Sequence, residues 1–462
     1  MSKQPNILFL MSDEHRPDVA GFAGNSVVRT PVLDKLAKDG IVFTNAYTPS
    51  PICIPARQCL MAGQLPRTAG CEKYGDDLPP GSMTFARQLA AHGYEAAVSG
   101  KLHHMGTDQM QGWTARISGD MQISPLYLGE RAMSSRKAFA GVKWSDAKEI
   151  ARAGVGRGLC VTHDEYAVQG AKQFIEDYFC NPYYDREQTH PLLLKVSLLQ
   201  PHYPYFTSES KFTYYLNRVE PYLHEPVFDH PFLSQRQIKA GKDATERDIR
   251  RATAAYYGMV ETIDDLYGEV LDALVHAGQD LDDWIIVYTS DHGEMLGEHG
   301  IWEKQKFFEA SVRVPLIIRY PKAFGRGRLI EENVNLCDLF ATLCDLAGVP
   351  VPEGLDSRSL VPLMEGGQAS WSNETISQFG GVNLMIKQDH LKYQYYGENM
   401  PEVLFDLQRN PEETLNVLED PEYAERVEHF RRRRAELAFG PDADPAYRNA
   451  GYEANPRGLD PA

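Results

Sequence analysis

Short apolar runs recur along the chain and alternate with longer stretches of helical period, and no other feature restricts the fold as much. The runs at 7–11, 95–99, 192–199, 284–289 and 314–319 are largely apolar and end in Gly, Pro or polar residues. Strands apolar on both faces belong to a parallel or mostly parallel sheet covered by helices on both sides. Helical patterns fill the intervals. Thr30-Pro31 reads as an N-cap followed by Pro at the first helical position, opening a helix at 32–38 that closes at Gly40. A longer helix over 246–276 carries an apolar stripe of Met259, Ile263, Leu266, Val270, Leu271 and Leu274 and stops at Gly278.

Two segments interrupt this rhythm. Residues 110–165 are irregular and carry Arg116, Arg131, Arg136, Lys137, Lys148, Arg152 and Arg157, while 201–245 is crowded with Pro, His, Tyr and Phe. Loops of such length in a compact domain commonly serve function. Near residue 365 the texture changes, and Gly366-Gly367-Gln368-Ala369-Ser370 reads as a linker. Beyond it, stretches at 384–386, 390–396 and 403–406 predict antiparallel strands, followed by a charged helix at 421–437. Its run Arg431-Arg432-Arg433-Arg434 reads as a solvated helix end. The expected fold class is α/β: a large, mostly parallel sheet sandwiched by helices over 1–365, with a small C-terminal α+β subdomain over 370–462. No internal repeat is present.

Composition removes several functions. Among 462 residues, 64 acidic side chains outnumber 47 basic ones for a net charge of −17, which opposes general nucleic-acid binding. A locally positive pocket for an anion remains compatible with that balance. No apolar run approaches the ~20 residues that span a bilayer. The run at 6–11 is too short for a secretory core and passes straight into Ser12-Asp13-Glu14, so a soluble protein without an N-terminal address or membrane partner is expected. The seven cysteines (Cys53, Cys59, Cys71, Cys160, Cys180, Cys337, Cys344) form no C-x-x-C pair, which speaks against a zinc knuckle or disulfide framework. A reduced, cytoplasmic setting is expected.

Ligands of open α/β sheets bind outside the carboxyl ends of the strands. Three strands deliver polar residues there: 7–11 leads to Asp13-Glu14, 192–199 to Gln200-Pro201-His202, and 284–289 to Ser290-Asp291-His292-Gly293. Asp13, Glu14 and Asp291 could converge as hard oxygen ligands for Ca²⁺, Mg²⁺ or Mn²⁺. One such carboxylate alone would more often cap the next helix. Their joint arrival favours a metal.

The segment Cys53-Ile54-Pro55-Ala56-Arg57 is the most informative in the chain. A lone cysteine before a helix is ordinarily a small buried hydrophobe. Within Cys-x-Pro-x-Arg, however, it resembles the sulfatase signature whose cysteine is oxidised after translation to formylglycine. Ser99-Gly100-Lys101-Leu102-His103-His104, Gln200-Pro201-His202, residues 256–274, residues 290–304 and Val334-Asn335-Leu336-Cys337-Asp338-Leu339 follow in family order. The likeness runs from Asn6 to Leu407. On these motifs the chain is identified as a member of the type I, formylglycine-dependent sulfatases of the alkaline-phosphatase-like superfamily. It departs from them at Ala62, where the family has Ser or Thr before the glycine, here Gly63.

The resemblance implies a set of roles. Asp13, Glu14, Asp291 and His292 would surround one divalent cation, Ca²⁺ ahead of Mg²⁺ or Mn²⁺, with oxidised Cys53 as a further ligand. Glu14 stands where Asp or Gln is commoner, which weakens it as a direct ligand. Arg57 would hold the formylglycine and its metal, and Lys101 and Lys304 would grip sulfate oxygens. His104 and His202 would handle protons, His202 being favoured as the acid, while His103 and His299 are assigned to structure. A serine or cysteine that attacked sulfur would be left stably sulfated. A hydrated aldehyde carries two hydroxyls on one carbon, so one can attack while the other loses its proton and expels sulfate. The cation lowers the nucleophile's pKa and polarises the sulfate, and the fixed cations meet the accumulating negative charge.

The implied activity is hydrolysis of sulfate esters to alcohol and inorganic sulfate. Within the superfamily the alternative is phosphonate monoester or phosphodiester hydrolysis. A non-catalytic anion-binding protein with unmodified cysteine is opposed by the intact Arg57, Asp291 and His292, and a phosphomutase would need Ser or Thr at position 53. For the substrate, residues 101–113 resemble bacterial choline sulfatases, and Tyr203, Tyr205, Phe206, Tyr214 and Tyr215 offer a cation–π surface, although such clusters commonly just pack a loop. The arginines of 110–165 point instead to a carboxylated or polysulfated sugar, as in uronate sulfatases. Expected partners are a small sulfated substrate (choline sulfate, an alkyl or aryl sulfate, or a sulfated sugar) and a formylglycine-generating enzyme during maturation. A homo-oligomer is left open.

Overall fold

The computed structural model describes residues 4–120, 147–182, 190–223, 228–367 and 371–440. Its main sheet has eight strands: β1 (Asn6–Ser12), β2 (Ile41–Phe43), β3 (Glu95–Gly100), β4 (Ala115–Ser118), β5 (Leu192–Ser197), β6 (Trp284–Ser290), β7 (Leu316–Arg319) and β8 (Arg328–Ile330). Their spatial order is β8-β2-β7-β6-β1-β5-β3-β4. Every neighbouring pair is parallel except the two that involve β7. The mostly parallel sheet expected from the sequence is therefore present.

Alternation along β1 divides the core into two layers. Ile7, Phe9 and Met11 face one side, where they pack with Leu60 of α2 (Cys53–Ala62), Phe85 of α3 (Phe85–Ala91) and Phe340 of a helix at Leu339–Ala347. Leu8 and Leu10 face the other side. There they meet Leu33 of α1 (Pro31–Asp39), Val168 of α4 (Leu159–Cys180) and Ile263 and Tyr267 of α5 (Glu246–His276).

Three local expectations are corrected. The run at 314–319 is not one strand, because Pro315 supplies no amide to a ladder. Arg313–Val314 joins Ala46–Tyr47 in a separate small sheet, and Leu316–Arg319 alone enters the main sheet, running opposite to its neighbours. Thr30 does not cap α1 with its side chain. Asp264 of α5 does so instead, accepting from the amides of Val32 at 3.0 Å and Leu33 at 2.8 Å. Finally, α4 begins inside the stretch read as irregular.

Beyond residue 371, strands β9 (Glu374–Phe379), β10 (Asn383–Gln388), β11 (Leu391–Tyr395) and β12 (Val403–Asp406) form an antiparallel sheet in sequence order. One face packs Met385, Val403 and Phe405 against Met295, Phe307 and Phe308 from the loop after β6. The other packs Leu384, Ile386 and Tyr393 under Val427 and Phe430 of the helix Ala424–Glu436. The arginine run on that helix is solvated only in part: Arg432 is exposed, while the other three pair with the sheet. Arg431 reaches Glu402 at 2.6 Å, Arg433 reaches Glu374 at 3.0 Å, and the buried Arg434 also pairs with Glu402. Gln368, Ala369 and Ser370 of the expected linker, Arg131, Arg136 and Lys137, and the chain after residue 440 lie outside the described residues.

An ion cluster, with Lys392 and Glu413 buried and Glu309 partly so, ties this sheet to the rest. Lys392 of β11 lies 3.0 Å from Glu309 and also pairs with Glu413, whose carboxylate accepts the Glu309 amide at 2.7 Å. Burial opposes the charge of Glu309, yet Lys392 pulls its pKa down to about 2, while burial pushes Glu413 up to about 7. Lys392→Met should strand the two carboxylates and cost about 3–5 kcal/mol in a urea titration at pH 7. Carboxyls left without their cation hold protons more tightly in the folded state, so the deficit should shrink between pH 7 and pH 5. A deficit independent of pH would disprove this account.

Candidate active site

Parallel pairing of β1 with β6 sets Ser12 opposite Ser290, so Asp13 and Asp291 leave the sheet side by side. Helix α2 starts at Cys53 above them, and it stops at Gly63, where φ is +64° and a Cβ would come within 2.8 Å of the Phe340 side chain. The Cys53 sulfur lies 3.1 Å from Nε2 of His292 and 3.7 Å from Oδ1 of Asp13. Glu14 holds a left-handed backbone, φ +66°, pinned by its amide donating to Asp291 at 3.1 Å and by the Tyr256 hydroxyl donating to its carbonyl at 2.6 Å.

One ligand atom from each of Asp13, Cys53, Asp291 and His292 lies within 4.8 Å of the others, and all four side chains are buried. A second set, Asp13, Glu14 and His202, meets the same limit. Nδ1 of His292 lies 3.0 Å from the Gly293 carbonyl, an acceptor only, so this nitrogen donates and Nε2 presents a lone pair to the cluster. Burial lowers the pKa of this histidine and keeps the lone pair free. Oε1 of Glu14 is buried with no hydrogen-bond partner. Hard carboxylate oxygens, one imidazole lone pair and an orphaned carboxylate oxygen suit a divalent cation of the Ca²⁺, Mg²⁺ or Mn²⁺ kind.

Three cations interlock with these carboxylates. Arg57 bridges them, placing Nη2 3.0 Å from Asp13 and Nε 2.7 Å from Asp291, and it also donates to Ser197 Oγ at 2.8 Å. Lys101 sits 2.6 Å from Asp13, and Lys304 sits 2.7 Å from Glu14. Burial alone would raise the Asp13 pKa, but Lys101, His202 and Arg57 hold it well below the usual carboxylate range. Burial pushes Glu14 well above that range, and Lys304 offsets only part of the rise. Burial, reinforced by Asp13, pushes the Cys53 thiol up to about 12, so an unmodified thiol here is protonated and a weak nucleophile at neutral pH. The pairs roughly cancel one another, and a bound cation would leave net positive charge facing an incoming anion.

Residues 5–349 match the family model described as Sulfatase. Residues 297–438 match the model described as N-sulphoglucosamine sulphohydrolase, C-terminal. The chain belongs to the sulfatase family. It is thereby a sulfuric ester hydrolase. A choline-sulfatase of Rhizobium meliloti (strain 1021) is 33% identical over 434 residues, spanning 90% of this chain and 83% of its own. An arylsulfatase of Clostridium perfringens is 27% identical, with 93% of each chain covered. Among solved structures, the phosphonate monoester hydrolase of Agrobacterium radiobacter superposes with a TM-score of 0.78 at 24% identity, covering 94% of this chain and 95% of that one. That last likeness speaks to the fold.

Of the residues read from this sulfatase's sequence, Asp13, Glu14, Cys53, Arg57, Lys101, His202, Asp291, His292 and Lys304 come together. His202 follows β5; its Nδ1 donates to the Tyr203 carbonyl at 2.6 Å, and Nε2 faces Glu14 at 3.5 Å. His104 does not join them. Its Nδ1 bonds the Gln109 carbonyl at 3.2 Å, burial lowers its pKa to about 4, and the charges it feels belong to Asp120, Arg116 and Lys195. The neighbouring His103, assigned above to structure, feels the charges of the cluster. Burial lowers its pKa, and Lys101, Arg57, Asp13 and His202 act on it. Both its ring nitrogens are buried without hydrogen-bond partners, and its ring stands edge-on to Tyr74 at 5.9 Å. His103 holds a left-handed backbone, φ +63°, so the alternation of extended chain does not apply here and no period in the sequence separates it from His104.

The aromatic surface expected for a quaternary ammonium resolves into packing. Tyr205 is fully buried and bonds Glu294 at 3.1 Å, Tyr215 is buried and bonds Glu261 at 2.6 Å, and Tyr214 stacks with Arg29 and Arg218. Phe206 lies over Gly156 and Gly158. Tyr203 alone of the five reaches the site, with Lys304 5.0 Å above its ring. The described arginines of 110–165 are likewise engaged locally: Arg116 with Asp120, Arg152 with Glu149 and Arg157 with Glu165.

Proposed function

We propose that this sulfatase hydrolyses sulfate monoesters with Cys53 matured to formylglycine and with one divalent cation, Ca²⁺, held by Asp13, Asp291, His292 and Glu14. The observation that carries the reading is the convergence of Cys53 with three buried ligand side chains inside a ring of Arg57, Lys101 and Lys304. The hydrate of formylglycine supplies a nucleophilic hydroxyl and a second one whose proton can be removed, and the cation activates the first. Arg57 keeps Asp13 and Asp291 oriented from behind. Lys101 and Lys304 bind sulfate oxygens and favour the state in which their negative charge is greatest.

His202 moves the proton. With Nδ1 committed to the Tyr203 carbonyl, exchange occurs at Nε2, which faces the cluster. Burial and Lys304 keep the imidazole neutral, so Nε2 is a base until an anion arrives and stabilises the imidazolium. Protonated from solvent in that complex, it gives the Nε2 proton to the alcohol oxygen as the S–O bond breaks. His103 fits the companion role better than His104, because its nitrogens are uncommitted and it senses the same charges. The 33% identity to a choline-sulfatase supports a small alkyl sulfate as substrate.

Protein produced together with a formylglycine-generating enzyme should release sulfate from choline sulfate, nitrophenyl sulfate or sulfated uronosides, and the ranking among them names the substrate. Failure on every sulfate ester, with the aldehyde present at Cys53, would refute the proposal. A further expectation separates the side chains. An alkyl sulfate must leave with a proton, whereas nitrophenolate leaves without one. His202→Ala should therefore slow the alkyl ester by at least about tenfold more than the aryl ester. Lys304→Ala should cost both substrates a similar factor, about 10²–10³. Equal losses on both esters in His202→Ala would remove its role as acid.

A further inference from the structure

Helix α4 enters the core polar end first. Its buried stripe is Cys160, His163, Asp164, Ala167, Val168, Ala171 and Ile175, with the spacing of one helical face. The later positions are apolar, but His163 and Asp164 place ionisable groups where burial is costly. The carboxylate of Asp164 accepts the amides of Leu199 at 2.6 Å and Gln200 at 2.9 Å, and the Gln200 side-chain amide at 3.2 Å. All three donors lie on the segment that leads into His202. The same carboxylate meets Nδ1 of His163 at 2.9 Å, and Nε2 of His163 lies 3.2 Å from the Gly119 carbonyl. The next residue, Asp120, accepts the amides of Leu102 at 2.8 Å and His103 at 3.0 Å, and Arg116 braces it at 2.8 Å.

A continuous polar chain thus runs behind the site, from the loop bearing His202 to the loop bearing Lys101 and His103. The sheet does not require it, because β3 and β5 already pair up to Gly100 and Ser197. Beyond those strand ends a few backbone bonds remain, Lys101 to the Ser197 carbonyl at 2.8 Å, Leu198 to the Met11 carbonyl at 2.8 Å and Asp13 to the Gln200 carbonyl at 3.3 Å, and among the described residues none of these holds His202 or His103 itself. We propose that His163 and Asp164 are positioning residues: they set the direction of the His202 loop and, through Gly119 and Asp120, couple it to the His103 loop. This rests on the reading of His202 as the proton-handling group. Neither residue touches the reacting atoms, so each acts only through the loop it holds.

A double-mutant cycle on the mature, metal-loaded enzyme tests the proposal with an alkyl sulfate. Asp164→Asn keeps the shape of the side chain but turns one acceptor into a donor facing backbone amides. Alone it should lower kcat by about 10–100-fold with KM little changed, the usual size of an effect transmitted through one supporting residue. In the His202→Ala background it should cost no more than about threefold, since the group it holds directly is gone and only the indirect path through Gly119 and Asp120 remains. In the Lys304→Ala background its loss should multiply in full. Near-ultraviolet circular dichroism and melting curves establish that each variant is folded. Should Asp164→Asn fail to fold, His163→Gln, which breaks the same chain at its midpoint, reads the same coupling. Losses that multiply in the His202→Ala background, or a parental rate in Asp164→Asn, would overturn the positioning role while leaving His202 in place. A parental rate in His202→Ala itself would overturn the reading of His202 and the positioning role with it.

Discussion

Cys53→Ala should lose turnover by about 10⁴-fold or more, the scale on which removing a nucleophile acts, and should melt close to the parent protein. The fold has little stake in this side chain. It is buried at the first turn of α2, but its sulfur lies against His292 and Asp13 in the polar cluster, so alanine deletes one atom from a polar corner rather than from the apolar core. The chemistry has everything at stake. A thiol with its pKa pushed up to about 12 stays protonated at pH 7. Peptide mass spectrometry of active protein should therefore find an aldehyde at position 53, and activity should track the aldehyde fraction across preparations. Full activity in protein carrying only the thiol would refute the mechanism.

Asp291→Asn should be nearly as damaging, through the metal. One oxygen of Asp291 accepts the Glu14 and His292 amides at 3.1 and 3.0 Å, and the other accepts Arg57 Nε at 2.7 Å. An amide can satisfy only one of these demands, since its NH₂ must oppose either the guanidinium or the two backbone amides. Elemental analysis of the parent should give about one divalent ion per chain, and the variant should hold far less. A loss of several kcal/mol of charge stabilisation corresponds to about 10³-fold in kcat. Chelation of the parent should abolish turnover reversibly, with Ca²⁺ restoring it, and should lower the melting temperature by an amount that depends on ion concentration. The chelated protein should stay folded, because Arg57 and Lys101 still neutralise Asp13 and Asp291. Undiminished activity after chelation would rule the metal out.

Periodicity and strand-end chemistry made much of this protein legible in one dimension. Buried strands must be apolar on both faces, so the runs that became β1, β3, β5 and β6 stand out, and the groups a sheet carries to its edge are the residues next in sequence. Asp13, Glu14, His202, Asp291 and His292 could be found for that reason, and Cys53 and Arg57 because their motif is contiguous. Other features depended on partners far along the chain. Whether the 314–319 run was parallel, which residue capped α1, and which of Arg431 to Arg434 paired with the sheet were settled by β2 and β6, by Asp264, and by Glu374 and Glu402, each remote in sequence. Which of His103 and His104 feels the charges of the cluster has the same origin: two adjacent histidines are equivalent until the backbone between them acquires a direction. That direction comes from Asp120 below the loop, and the direction of the His202 loop comes from Asp164 on α4. A sequence records which groups are available, but the orientation of irregular backbone is set by hydrogen bonds to residues that only the folded chain brings near.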